Sequence, residues 1–100
     1  MKLGLLVNTN NHRDAVIGLT GSAVARDHEV TIFIMDDGTR LLEDQSFCDL
    51  SAADGVRMSY CEHSATDLGV NTANVPEAIE SSSQYNNAAM NHTMDKVIVL

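Results

Sequence analysis

Apolar residues fall into short continuous runs, separated by segments in which they recur at helical spacing. Leu3-Gly4-Leu5-Leu6-Val7 is one such run, ended by the polar Asn8-Thr9-Asn10-Asn11. A short apolar run bounded by turn residues is the pattern of a strand buried on both faces, as in parallel sheets covered by helices. From Arg13 to Arg26, Val16, Leu19, Ala23 and Val24 recur at helical spacing, and Asp27-His28 closes the segment. Gly18 and Gly21 lower its helix propensity and are expected to permit close packing on a sheet. Glu29 to Met35 is rich in β-branched residues and predicts a second strand running into a sharp polar turn at Asp36-Asp37-Gly38.

Thr39 to Ala53 predicts an irregular helical crossover, with Leu41, Leu42, Phe47 and Leu50 buried and Asp54-Gly55 as its stop. Val56 to Cys61 predicts a third strand, and Ser64 to Leu68 a short helix closed by Gly69. Ala78 to Ser83 is a polar fourth strand suited to a sheet edge. Tyr85 to Met94 predicts a last helix, and Lys96 to Leu100 a fifth buried strand. Strands alternating with helical segments predict an α/β three-layer sandwich with a five-stranded, mainly parallel sheet and helices on both faces, because parallel neighbours require crossover connections. In open sheets of this kind, sites lie outside the carboxyl ends of the strands. That edge collects residues 8–12, 36–40, 61–65 and 82–85.

Composition narrows the function. One hundred residues make one domain, 1–100. The 44% of hydrophobic and 20% of charged residues are those of an ordinary globular chain. Fourteen acids against six Lys and Arg give a formal charge of −8, the wrong sign for displacing counterions from nucleic acid or docking on anionic membranes. No apolar run approaches the roughly 18–20 residues that cross a bilayer. The first residues, Met1 to Asn8, lack the length of a signal-peptide apolar region, so a cytoplasmic location is expected. Two cysteines, Cys48 and Cys61, are too few for a disulfide framework and are expected to be free thiols in a reducing compartment.

Cys61 is the candidate that bears chemistry. It ends the third strand just before a helical segment, where unpaired N–H groups and the positive end of the helix dipole favour a thiolate. The plainer reading makes it a small apolar residue filling the sheet end. His63 lies two residues further on, as a proton shuttle or a solvated loop histidine. Asp36 and Asp37 supply paired carboxylates, suited to acid–base work, to a divalent metal, or simply to capping the next helix. Cys61, His63 and His92 match no established zinc spacing. Gly18-Leu19-Thr20-Gly21 lies inside a helix rather than at a strand–helix turn, so it fails as a dinucleotide fingerprint. There is no phosphate-binding loop and no nucleophile elbow, and neither a metal nor a cofactor is expected.

Three stretches carry a resemblance to a known family. Ala23 to Phe33 running into Asp37-Gly38-Thr39-Arg40-Leu41-Leu42 is similar to the first helix, second strand and following turn of the small DsrE/DsrF-like sulfur-relay proteins. Gly55-Val56-Arg57-Met58-Ser59-Tyr60-Cys61-Glu62-His63-Ser64-Ala65, followed by Gly69, resembles their cysteine segment. Ala78 through Tyr85 to Leu100 resembles their final strand–helix–strand. The likeness spans nearly the whole chain. It implies the strand order 4-3-2-1-5, homotrimers or homohexamers, and a persulfide carried on Cys61 between donor and acceptor proteins in sulfur oxidation, sulfur reduction or tRNA thiolation. His63, Ser64 and Asp37 are auxiliary candidates. The expected function is therefore sulfurtransferase-like carriage of sulfur between proteins, without direct contact with nucleic acid. The alternatives are a non-catalytic oligomeric interaction module and a thiol redox sensor of the same fold.

Overall fold

The computed structural model describes residues 1–100. In chain order the elements are β1 (Lys2–Val7), α1 (Arg13–Ala25), β2 (Glu29–Ile34), a 3-10 helix (Asp36–Glu43), α2 (Gln45–Cys48), a 3-10 turn (Asp49–Ala52), β3 (Val56–Cys61), α3 (Glu62–Asp67), β4 (Ile79–Ser82), α4 (Gln84–Thr93) and β5 (Lys96–Val99). The five strands form one sheet in the order β4-β3-β2-β1-β5. Every pairing is parallel, as the buried apolar runs require.

Alternation along the strands divides the core in two. Leu5, Ile32, Ile34, Met58 and Tyr60 belong to the larger core, closed by Val16 of α1, Leu42, Phe47 of α2 and Ala65 of α3. A smaller core gathers Phe33, Cys61 and Met90 of α4, with Leu6, Met35, Met94 and Val97 packed against it. Helices thus cover both faces, and Cys61 lies in the layer between the sheet and α4.

Several local expectations are corrected. On α1 it is Thr20, not Leu19, that is buried beside Val16 and Ala23, and Leu19 is exposed. Gly18 and Gly21 are exposed and would meet nothing within 4 Å if given a Cβ, so they serve no close packing. β5 is a sheet edge rather than a buried strand, with Val99 57% exposed. β4, the polar strand, forms the opposite edge as expected. The turn at Asp36-Asp37-Gly38 is already the first turn of the 3-10 helix, with Asp36 in the left-handed region at φ 48°. The Thr39 hydroxyl donates to the Asp36 carbonyl at 2.7 Å and closes that turn.

Gly38 explains how this segment crosses the sheet end. The amide of Met35 donates to the Val7 carbonyl at 2.9 Å, and that of Gly38 to the Met35 carbonyl at 2.9 Å. A Cβ on Gly38 would lie 2.3 Å from the Val7 carbonyl oxygen, a backbone atom that cannot step aside. The same substitution therefore has opposite signs at two glycines. Gly38→Ala is expected to destabilise the fold by about 2–3 kcal/mol through overpacking. Gly21→Ala, in open space on a helix, is expected to stabilise it by about 0.5–1 kcal/mol. Urea unfolding midpoints of the two variants check both values.

Candidate functional site

Parallel pairing brings all carboxyl strand ends to one edge. The register pairs Cys61 with Ser82 of β4, and Tyr60 with Ile34 of β2. The Ser82 hydroxyl donates to the Tyr60 carbonyl at 3.2 Å, which ties the two strand ends together beside the cysteine. Ser83 then caps α4, its hydroxyl oxygen accepting from the Tyr85 amide at 3.3 Å. Gln84 is thereby fixed at the same edge, where its carboxamide reaches the Met35 sulfur at 3.8 Å.

Cys61 lines an open cavity of about 860 Å³ with Met35, Asp36, Glu62, Ser64 and Gln84 among its neighbours. The helix after it begins two residues earlier than its sequence suggests, at Glu62, so Cys61 itself is the capping residue, in extended conformation at φ −79° and ψ 110°. α3 has only six residues, too few for a full macrodipole; the electrostatics come from individual donors of its first turn. Cys61 is 4% exposed. Burial pushes its thiol up, but the Ser64 hydroxyl and amide, the Gln84 carboxamide and the His63 amide outweigh that and hold it below the ordinary thiol value. No Lys or Arg lines the cavity. Neutral dipoles favour the thiolate here, without a cation.

The other candidates separate. Ser64 is 8% exposed and stands beside the sulfur on the cavity wall. His63 is exposed at the rim, with Nε2 3.0 Å from Asp67 Oδ2 rather than turned to the thiol. Asp37 lines an adjoining hollow with His63 and Asp67 and pairs with Arg40 at 3.1 Å; it is Asp36, its neighbour, that lines both. No three His, Cys, Asp or Glu side chains converge as metal ligands would. Cys48 is a free thiol buried in the larger core, its sulfur donating to the Leu42 carbonyl at 3.3 Å. Burial pushes the Cys48 thiol up, and the carboxylates of Asp44 and Asp49 push it the same way. Gln84 and Met35 were not legible as site residues; the only signal was that each flanks a strand end on the carboxyl edge.

The chain matches no protein-family model and no curated protein by sequence. Solved structures do share its architecture. The ychN protein of E. coli superposes with a TM-score of 0.72 at 15% identity, over 99% of this chain and 97% of that one. MTH1491 of Methanobacterium thermoautotrophicum, a protein of unknown function, superposes with a TM-score of 0.71 at 14% identity, over 99% and 98%. The chain therefore shares the fold of these two proteins. No helix is long and apolar enough to cross a membrane.

The opposed environments of the two thiols set their reactivity, since the thiolate is the nucleophile. In a pH series of iodoacetamide alkylation on Cys48→Ser and Cys61→Ser variants, Cys61 is expected to react about tenfold faster than Cys48 at neutral pH. Its rate should also level off at lower pH. Faster reaction of Cys48 would contradict the assignment.

Proposed function

We propose that the protein is a sulfur carrier, with Cys61 taking a sulfane sulfur from a donor protein and passing it to an acceptor. The observation that carries this reading is the thiol itself, set in the wall of an open cavity among neutral donors that favour its thiolate. The resemblance of the cysteine segment to sulfur-relay proteins supports it, and the fold shared with the ychN protein is compatible with it. The Cys61 thiolate attacks the terminal sulfur of a persulfide R–S–SH. A bond forms from Sγ to that sulfur, the donor's S–S bond breaks, and R–S⁻ leaves with the electron pair. This is the displacement of thiol–disulfide exchange. Cys61 then carries the –S–SH group, and an acceptor thiolate reverses the step. Ser64 and Gln84 face the sulfur and stabilise the persulfide anion as they do the thiolate. His63, at the rim and tied to Asp67, relays protons to solvent. The carrier works in a reducing cytoplasm, as a homotrimer or homohexamer.

Mass spectrometry after exposure to a neutral organic persulfide tests the reading. An adduct of about 32 Da on Cys61, absent from Cys61→Ser and removed by a second thiol, is expected. An adduct of about 16 Da under peroxide without persulfide uptake would favour a thiol redox sensor instead. Neither adduct would reduce the protein to an interaction module.

A further inference from the structure

The carboxyl edge carries an uneven distribution of charge. Asp36 and Glu62 line the Cys61 cavity, and Asp36, Asp37 and Asp67 line the hollow beside it. Neither contains a Lys or Arg in its lining. The guanidinium of Arg40, on the same 3-10 helix as Asp36, is paired with Asp37 at 3.1 Å. Between these carboxylates the cavity wall holds two side chains more than nine-tenths buried, Cys61 and Ser64, and the Ser64 hydroxyl favours the thiolate. Tyr85, next to Gln84 on the first turn of α4, is 79% exposed, an aromatic face of the kind that basic side chains pack on.

Resting on the sulfur-carrier reading, we propose that the donor presents its sulfur on a cysteine flanked by Lys or Arg, and that the carboxylates around Cys61 select this basic segment and repel anionic sulfur donors. A basic segment screens the rim carboxylates as it seats, and the leaving thiolate departs on the cationic partner. Small anionic donors meet the same carboxylates without any cation to offset them. The selectivity is electrostatic and acts over roughly the 8 Å Debye length of physiological salt.

The test uses short cysteine peptides, activated as mixed disulfides with 2-thiopyridine and flanked by Lys, Ser or Glu, on the Cys48→Ser protein. Cys61 thiolate attacks the peptide sulfur, 2-thiopyridone leaves, and its absorbance gives the rate. Each rate is divided by that of a small neutral thiol with the same peptide. The Lys peptide is expected to react about tenfold faster than the Glu peptide at low salt, with the ratio falling towards unity in high salt. The combined Asp36→Asn and Glu62→Gln variant should lose most of that ratio. A Glu29→Gln and Asp54→Asn variant, with the same change in net charge at exposed positions away from the cavity, should keep it. Equal rates for the three peptides would overturn the proposal, as would a ratio that falls equally in both variants and so belongs to the overall charge of −8. Because the readout is disulfide exchange, charge selection without persulfide uptake would remove the carrier reading and leave the preference for basic partners. Uptake without selection would do the reverse.

Discussion

Parallel pairing of β3 with β2 on one side and β4 on the other is the constraint on which the rest depends. It brings three chain segments, far apart in sequence, to end at one level: Met35 after β2, Cys61 at the end of β3, and Ser82-Ser83-Gln84 after β4. Each then turns into a helix, so first-turn amides that have no partner within their own helices collect at the same edge. An antiparallel β4 would have sent Gln84 to the opposite end of the sheet and left the thiol with only the donors of its own short helix. The chemistry at Cys61 is therefore a consequence of strand direction before it is a consequence of any particular side chain.

The second requirement is that the edge be closed on one side and open on the other. The 3-10 helix closes it by passing over the end of β1, which works only because Gly38 has no Cβ to meet the Val7 carbonyl. α4 packs over the other face through Met90, with Met94 just after it, beside Phe33 and Cys61. Between them the cavity stays open and lined mostly by neutral hydroxyl, amide and thioether groups, with carboxylates confined to its exposed residues. Burial alone would make Cys61 a resting thiol like Cys48. The two cysteines expose similarly little surface, but Cys48 lies inside the larger core and Cys61 on a cavity wall. Their surroundings differ as well: amide and hydroxyl donors favour the Cys61 thiolate, whereas deeper burial and the carboxylates of Asp44 and Asp49 oppose that of Cys48.

This contrast also marks how far the sequence can be read. β1 and β2 are legible because apolar residues fill both faces, and the polar β4 announces an edge. β5 misleads because Val97-Ile98-Val99 has the composition of an interior strand while lying at an edge; local pattern carries no record of which neighbours a strand will find. On α1, Leu19 and Thr20 are adjacent, and the rotation that buries the threonine is decided by packing on the sheet rather than by hydrophobicity. Cys61 and Ser64 are legible because they lie within one local segment. Gln84 is not, since it sits in a featureless polar stretch and reaches Cys61 only through the pairing of β3 with β4. The same limit applies to Asp36 and Asp37, which look equivalent as neighbours until the left-handed Asp36 lines both the Cys61 cavity and the hollow beside it, while Asp37 lines only the hollow and pairs with Arg40.

The central claim is that neutral donors, with no cation, make Cys61 a thiolate at lower pH than an ordinary thiol. Titrating the ultraviolet absorbance of the thiolate in the Cys48→Ser protein, alone and with Ser64→Ala or with Gln84→Ala, tests it most directly. The account predicts a single transition with a midpoint below that of a cysteine in an unstructured peptide, moving up in each variant and more with Ser64→Ala. A midpoint at or above the peptide value, or one unmoved by both substitutions, would contradict it.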